Sequence, residues 1–259
     1  MNKLGFIGMG NMAKAIAAGI IKSGKISGSD IYAYAPHQDK LRKNAEAIGF
    51  TACGSMEELL GAADTVVMAC KPYQIEAVLE ENRGALAGKA LISIAAGWDY
   101  ARYEPMVDER TRVQFIMPNT PAMVGEGVML FEETNSLEAE ERQELMDMFS
   151  ALGLVEEIPT HLMGIAGTLI GCGPAFIDLV IEALGDAGVK YGVPRAQAYA
   201  LVSQMILGNA KLQLETGEHP GVLKDNVCSP AGTTIRGVAA LERAGLRAAF
   251  LDAVDGIME

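Results

Sequence analysis

Two segments near opposite ends of the chain have residue types and spacings that could do chemistry. Near the amino end, Gly8, Gly10 and Ala13 form the pattern G-x-G-x-x-A. After a strand and at a helix start, such a pattern lets backbone amides approach a pyrophosphate. Near the carboxyl end, residues 219–235 combine proline and glycine with Ser229, Thr233 and Thr234. This composition predicts a loop that leads into a helix start, where free amides can hold a carboxylate.

The glycine pattern predicts a dinucleotide site whose remaining parts follow from the strand ends. In a parallel sheet, ligands lie outside the carboxyl ends of the strands. Lys71 at one such end could also act as a catalytic acid, but a position that merely ends a strand is the simpler interpretation. We expect the cofactor to contact the glycine turn and the residues that follow the strands: Gly8, Met9, Gly10, Asn11, Met12, Ala35, Pro36, His37, Lys71, Pro72, Ala96, Gly97, Met117, Pro118 and Asn119.

The tip of the second predicted strand bears on the choice of cofactor. An NAD site usually offers Asp or Glu there to the ribose 2′-hydroxyl. This chain reads Ala35-Pro36-His37 instead, with Lys40 and Arg42 close behind. Cations without a carboxylate favour a 2′-phosphate, so we expect NADPH as the cofactor, with NADH also possible.

The elements that must position these residues change character along the chain. Short apolar runs alternate with helical patterns up to about residue 160, which is typical of a parallel sheet buried on both faces. Beyond His161 the strands stop, and we predict helices over 174–191, 194–216 and 234–258. The fold class is therefore α/β: a Rossmann-type, doubly wound sheet (1–160) followed by an all-α dimerisation and substrate domain (161–259). The second helix is apolar over much of its girth, which indicates burial by a partner chain.

Charge and composition exclude several classes of function. The net charge of −12 argues against nucleic acid and anionic membranes as partners. Neither the four cysteines nor the three histidines have metal-ligand spacing, which indicates a reduced, cytoplasmic protein without a metal. Met1-Asn2-Lys3 leads directly into a strand-like run, so we expect no signal peptide. Glycines and Asp178 interrupt the apolar stretch 162–180, which favours a buried helix or subunit contact over a membrane span.

Four segments together resemble the pyrroline-5-carboxylate reductase family, in register over nearly the whole chain. They are GFIGMGNMA (5–13), MPNTPAMVGEG (117–127), GCGPAFIDLVIEALGDAGVKYGVPR (171–195) and HPGVLKDNVCSPAGTTIRGVAALE (219–242). The resemblance implies reduction of the cyclic C=N bond of 1-pyrroline-5-carboxylate to L-proline, the last step of proline biosynthesis, with hydride from NAD(P)H. It also implies that the carboxyl-terminal helices interlock with a second subunit, and that dimers can assemble further, often into decamers.

The resemblance also implies roles for residues of the second segment. The substrate carboxylate is expected on the amides that open the last helical region, and Thr234 matches a position that approaches the ring nitrogen. Thr234 is therefore the predicted catalytic hydroxyl, which orients or protonates that nitrogen. An imine is more basic than a ketone, so a hydroxyl or water is a sufficient acid. The predicted substrate-binding residues are Asn119, Ser229, Gly232, Thr233 and Thr234.

The chain departs from the family pattern at two positions. Cys172 stands where the family usually has serine, and Ala231 stands where it usually has glycine. A Cβ atom is strained at positive φ. We therefore expect Ala231 at ordinary backbone angles, with Gly232 making the turn.

Three alternatives share the predicted architecture. A β-hydroxyacid dehydrogenase would place a catalytic lysine four residues past a glycine pair, but Ile177 and Asp178 follow Gly171 and Gly173. An imine reductase acting on another cyclic imine would have the same motifs. The non-enzymatic alternative is a paralogue that binds nucleotide and serves as a regulator or scaffold.

Overall fold

An eight-stranded sheet forms the centre of the first part of the chain in the computed structural model, which describes residues 3–259. The strands are β1 (Leu4–Ile7), β2 (Ile31–Tyr34), β3 (Thr51–Ala52), β4 (Thr65–Met68), β5 (Ala90–Ser93), β6 (Arg112–Pro118), β7 (Gly127–Glu132) and β8 (Gly153–Ile158). Their order is β3-β2-β1-β4-β5-β6-β7-β8, and all neighbours are parallel except β6 and β7. This confirms the predicted doubly wound sheet. The expectation for Met1 and Asn2 lies outside the described residues.

Six helices pack on the two faces of this sheet: α1 (Asn11–Ser23), α2 (Gln38–Ile48), α3 (Met56–Ala62), α4 (Ile75–Leu86), α5 (Tyr100–Tyr103) and α6 (Ala139–Phe149). Successive strand residues point to opposite faces. Phe6 accordingly joins one buried cluster with side chains of α1, α2 and α6, and Ile7 joins another with side chains of α3 and α4. The strands are apolar on both sides for this reason, which is why their sequence is nearly continuous in hydrophobic residues.

The rest of the described chain is helical: α7 (Met163–Lys190), α8 (Arg195–Thr216), α9 (Pro220–Val227), α10 (Thr233–Arg243) and α11 (Leu246–Met258). The all-α prediction is confirmed, but several boundaries differ. Residues 220–227 form a helix where a loop was predicted, because the His219 side chain accepts a hydrogen bond from Gly221 N and Pro220 has the φ of a first helical residue. Gly245, at φ 77°, divides the predicted last helix in two.

The chain divides into two compact units between Gly171 and Cys172, whereas the predicted boundary of the dimerisation and substrate domain, at residue 160, stays a prediction. The first turns of α7 explain the difference, since Met163 is buried in one cluster with Phe115 and Leu130 of the sheet. The amino end of α7 therefore packs as part of the first unit, although the strand pattern has already ended.

The second unit, residues 172–259, buries few of its own side chains. Gly185 and Ala198 are its buried residues, whereas Leu201 of α8 is 59 % exposed. By length and composition, Thr160–Lys190 is the one helix in the described chain that could cross a membrane, a test that core helices of soluble proteins also pass. The chain alone buries 11 % of the apolar window of this segment. Burial within the chain, one of the two predicted explanations, does not account for this helix.

A proline inside α7 is accommodated by a side chain from the sheet. Pro174 has no N–H group, so the carbonyl of Ile170, four residues earlier, loses its helical donor. Asn119 Nδ2 donates to that carbonyl at 3.2 Å, and Asn119 Oδ1 accepts from Val128 N at 2.8 Å. Asn119 thus joins the ends of β6 and β7 to the helix while being only 7 % exposed.

Replacing Asn119 with alanine is expected to lower the free energy of unfolding by about 2–3 kcal/mol, because two partly buried backbone groups lose their partner. Asn135 offers a matched control, since it also bonds one carbonyl and one amide, but its side chain is more exposed than that of Asn119. Urea unfolding at a fixed protein concentration measures both variants. Equal losses for Asn119→Ala and Asn135→Ala would contradict this account of Asn119.

Candidate functional site

A cavity of about 590 Å³ opens at the carboxyl ends of β1, β2, β4 and β5. Most of the predicted cofactor residues line it: Gly8, Met9, Gly10, Asn11, Met12, Ala35, Pro36, His37, Lys71, Pro72 and Ala96. The structure also brings in Tyr34, Lys40 and Asn44. Lys40 and Asn44 are four residues apart on α2, so helical spacing from His37 could have identified Asn44 as well.

The turn between β1 and α1 depends on glycine at its first position. Gly8 has φ 96°, and a Cβ atom there would lie 2.8 Å from both Ala69 O and Cys70 N. Its amide donates to Tyr34 O at 2.8 Å, which ties the turn to the end of β2. No side chain fits between these strand ends, so the turn passes directly over the edge of the sheet.

The amino end of α1 is left free at the floor of the cavity. Its N-cap residue, Gly10, supplies no side-chain bond, and its first turn contains no acidic residue. A Cβ atom built on Gly10 would meet no described atom within 4 Å, so the space above it is open. Free amides and the positive end of the helix dipole make this an anion site.

The tip of β2 presents a lysine and a histidine to the same cavity. Gln38 Nε2 holds the tip by donating to Ala35 O and Cys53 O, at 3.0 and 3.2 Å. His37 and Lys40 line the cavity, and no Asp or Glu is among its described lining residues. A phosphate on the ribose 2′-oxygen would therefore meet positive charge and no carboxylate.

The ends of β4 and β5 complete the cavity wall. Lys71 precedes a 3₁₀ turn (Pro72–Gln74), and its amide donates to Gln74 Oε1 at 3.1 Å. Burial raises the pKa of Cys70 to about 11, so this thiol stays protonated at neutral pH and is no nucleophile. Ala96 lines the cavity, whereas Gly97, at φ 75°, turns the chain away from it.

Besides Gly97, three predicted cofactor residues from the β6 end do not line the cavity in this structure. Met117 packs against Gly167 of α7, Pro118 is buried, and both functional ends of the Asn119 side chain bond to backbone. The contacts of these three residues with cofactor or substrate stay predictions. What the structure assigns to Asn119 is the junction of β6, β7 and α7.

The second chemical segment lies in the second unit and contains a tight turn before α10. Gly232 N donates to Ser229 O at 3.0 Å, which closes the turn over Pro230 and Ala231. Ala231 has φ 59°, so the expectation of ordinary backbone angles there is wrong. Proline at the second position and positive φ at the third are the features of a type II turn, which dictates the angle whatever residue occupies the third position.

Gly232 is needed for space rather than for its backbone angle. Its φ is −68°, but a Cβ atom there would lie 2.4 Å from Ser229 Oγ. As the N-cap of α10 it makes no side-chain bond, and the first turn of α10 contains no acidic residue. Thr233 and Thr234 open this helix, so their backbone amides have no helical acceptor and could bind an anion.

The part of the chain that the structure describes contains no evident set of ligands for a metal ion. No group of three His, Cys, Asp or Glu side chains within residues 3–259 could hold a metal ion. Cys172, the other departure from the family pattern, is a free, half-buried thiol within α7.

Ala231→Gly is expected to raise the free energy of unfolding by about 0.5–1 kcal/mol, because the strain of a left-handed alanine exceeds the extra chain entropy of glycine. Ala244, which ends α10 at φ −78°, gives the matched control, where glycine should lower stability by a similar amount. Urea titration at equal concentrations compares the two variants. A loss at both positions would contradict the strain at Ala231.

Comparisons with known proteins match segments of both units of the chain. Residues 160–259 match the family model described as pyrroline-5-carboxylate reductase dimerisation, and residues 3–97 match one described as NADP oxidoreductase, coenzyme F420-dependent. Pyrroline-5-carboxylate reductase of Treponema pallidum is 42% identical, over 97% of this chain and 97% of that protein. The Escherichia coli enzyme is 39% identical, over 99% and 96%.

Among solved structures, Plasmodium falciparum pyrroline carboxylate reductase, crystallised with NADP bound, superposes with a TM-score of 0.89. It is 34% identical, over 99% of this chain and 95% of that one. The similarity extends over both units and includes the glycine turn and the amino end of α10. The chain belongs to the pyrroline-5-carboxylate reductase family.

Proposed function

We propose that this protein reduces the C=N bond of 1-pyrroline-5-carboxylate and releases L-proline, using NADPH. The observation that carries the proposal is the free amino end of α10, which offers unpaired amides and two hydroxyls. It occurs in a chain that belongs throughout to the reductase family. An amino acid that contains a cyclic imine has the two groups this helix end would bind, a carboxylate and a basic nitrogen.

The residues around the first cavity fit a dinucleotide. The free amino end of α1 suits the pyrophosphate, because Gly10 leaves room for it and no acidic side chain stands nearby. His37, Lys40 and Asn44 suit a 2′-phosphate at the tip of β2. NADPH, when bound, supplies the hydride. The chain's own contribution is to hold the cofactor so that its reactive ring lies toward the ends of β4 and β5.

The amino end of α10 would bind and orient the substrate. The backbone amides of Thr233 and Thr234 would donate hydrogen bonds to the carboxylate, which would fix the ring relative to the Thr234 hydroxyl. Reduction adds hydride to the imine carbon and leaves one proton on the ring nitrogen. Thr234 donates that proton to a neutral imine or orients it in an imine that is already protonated. In the second case no stronger acid is needed.

A second copy of the chain would cover the apolar surface of the helical unit. Exposed side chains such as Leu201, Met205 and Leu212 occupy α8, and the matching family model is named for dimerisation. We propose a dimer in which this surface and the apolar face of α7 are buried by the partner rather than by lipid, with larger rings such as a decamer as assemblies of that dimer. We also propose a cytoplasmic location, consistent with four free cysteines.

The activity is tested with purified protein, 1-pyrroline-5-carboxylate and NADPH, by following NADPH oxidation and identifying L-proline as product. Reduction of this substrate, and no reduction of 2-oxo acids, is expected. NADPH binding without turnover of any of these substrates would favour the non-catalytic paralogue.

Thr234→Ala is expected to lower kcat about 10-fold or more, the lower range for a general acid–base group. Thr234→Ser keeps the hydroxyl and is expected to retain most of the activity. Steady-state rates at saturating substrate measure kcat for both. An unchanged kcat in the alanine variant would remove Thr234 from the proposed role.

Lys40→Met is expected to raise KM for NADPH about 10-fold while leaving KM for NADH nearly unchanged, because only NADPH has the 2′-phosphate. Lys43 lies on the same helix outside the cavity and is exposed, so Lys43→Met is the matched control. The ratio of kcat/KM for the two cofactors gives the comparison. Equal effects on NADPH and NADH would contradict a contact with the 2′-phosphate.

A further inference from the structure

The turn that follows β5, residues 95–99, is supported by a buried aromatic pair on the side away from the cavity. We call it the β5 turn. Ala95 and Ala96 line the cavity, while Trp98 is 1 % exposed and packs with its ring centroid 5.1 Å from that of Tyr103. The cavity side of the turn therefore presents small side chains and backbone. Its position depends on groups outside the cavity.

Hydrogen bonds inside the β5 turn fix its shape. Ser93, buried at the end of β5, donates from Oγ to Trp98 O at 3.1 Å and accepts from Ala95 N at 3.4 Å. Trp98 N donates to Ala95 O at 3.1 Å. One buried hydroxyl thus joins both ends of the turn, and Gly97 supplies the positive φ between them.

Arg102 holds the same turn from the surface. Its guanidinium lies 4.1 Å from the centre of the Trp98 ring, and Nη1 donates to Gly97 O at 3.2 Å. Nη2 forms an ion pair with Glu76 Oε1 at 3.4 Å. The Arg102 side chain is 49% exposed, so this surface pair by itself contributes little to folding.

The place of the β5 turn in the sheet relates it to the reactive end of the cofactor. The adenosine ribose, whose 2′-oxygen bears the phosphate of NADPH, belongs at the tip of β2, and the pyrophosphate belongs at α1. The strand order β2-β1-β4-β5 then puts the β5 turn at the opposite end of the cavity. That end receives the nicotinamide ring if the cavity holds a dinucleotide.

We propose that Arg102 is a positioning residue, which holds the β5 turn against the nicotinamide ring through Gly97 O and the Trp98 ring. The proposal rests on the proposed function, because it requires a nicotinamide cofactor in this cavity. A turn fixed before the cofactor arrives saves the cost of ordering it on binding. It also sets the distance over which hydride is transferred.

The test compares Arg102→Met with Glu76→Gln. The first variant removes the bond to Gly97 O, the cation over Trp98 and the ion pair, whereas the second removes the ion pair alone. Trp98 is the one tryptophan in the sequence, so its emission reports NADPH binding directly in a titration of the purified protein. Arg102→Met is expected to raise the Kd for NADPH and lower kcat, each about 10-fold.

Two further measurements separate positioning from a loss of structure. The thermal midpoint of Arg102→Met is expected within about 2 °C of wild type, as for an exposed ion pair. Arg102→Lys keeps a cation that can donate to Gly97 O and is expected to recover part of the affinity. Ser93→Ala, which leaves the ion pair intact, is expected to raise Kd in the same direction.

Two results would overturn the proposal: an NADPH Kd in Arg102→Met equal to wild type, or equal losses in Arg102→Met and Glu76→Gln. The second result would assign the effect to the ion pair with α4 rather than to the β5 turn. A wild-type protein that binds NADPH but leaves 1-pyrroline-5-carboxylate unreduced would refute the proposed function. The Kd comparison would still decide the role of Arg102.

Discussion

The close approach of the backbone at Gly8 is the constraint on which the cofactor site depends. The turn after β1 passes so near the backbone at the end of β4 that no Cβ atom fits, and it does so at a positive φ. This path places the amino end of α1 at the carboxyl edge of the sheet with its amides free. A side chain at position 8 would displace the turn and the helix start together, and the anion site would be lost with them.

The second unit also contains a helix start with free amides, but a different kind of turn leads into it. At α10 a proline turn delivers an uncapped helix start, and Gly232 supplies room for the Ser229 hydroxyl rather than a special angle. The backbone strain of that turn lies at Ala231, which is left-handed although it is not glycine. Strain at such a position persists only where the surrounding structure dictates the conformation, and it is commonly found at functional sites.

The sequence predicts the sheet well because its signals are local. Strands buried on both faces are nearly continuous in apolar residues, and the glycine pattern is read from neighbouring positions. The two-residue strand β3 escapes detection because Thr51 and Ala52 show no period. The start of α7 is only partly predicted: the apolar stretch 162–180 indicates a buried helix, but the helix prediction begins at Pro174, because proline is typical of a first helical turn.

Parts of the candidate site depend on contacts that no local pattern contains. The bond from Arg102 to the β5 turn joins an exposed helix residue to a glycine carbonyl, and neither residue type suggests the other. The angle at Ala231 follows from the turn that Gly232 N closes with Ser229 O, and a preference against positive φ alone predicts the opposite. The fold could therefore be predicted more completely than the details that hold each helix end in place.

We propose that the free amino end of α10 binds the carboxylate of a cyclic imine. The most direct test of this proposal is the ratio of kcat/KM for 1-pyrroline-5-carboxylate and for 1-pyrroline, which has the same ring without the carboxylate. We expect a preference of about 100-fold or more for the imine with the carboxylate, because the other imine lacks a charged group that makes several hydrogen bonds. Equal kcat/KM values for the two imines would contradict it.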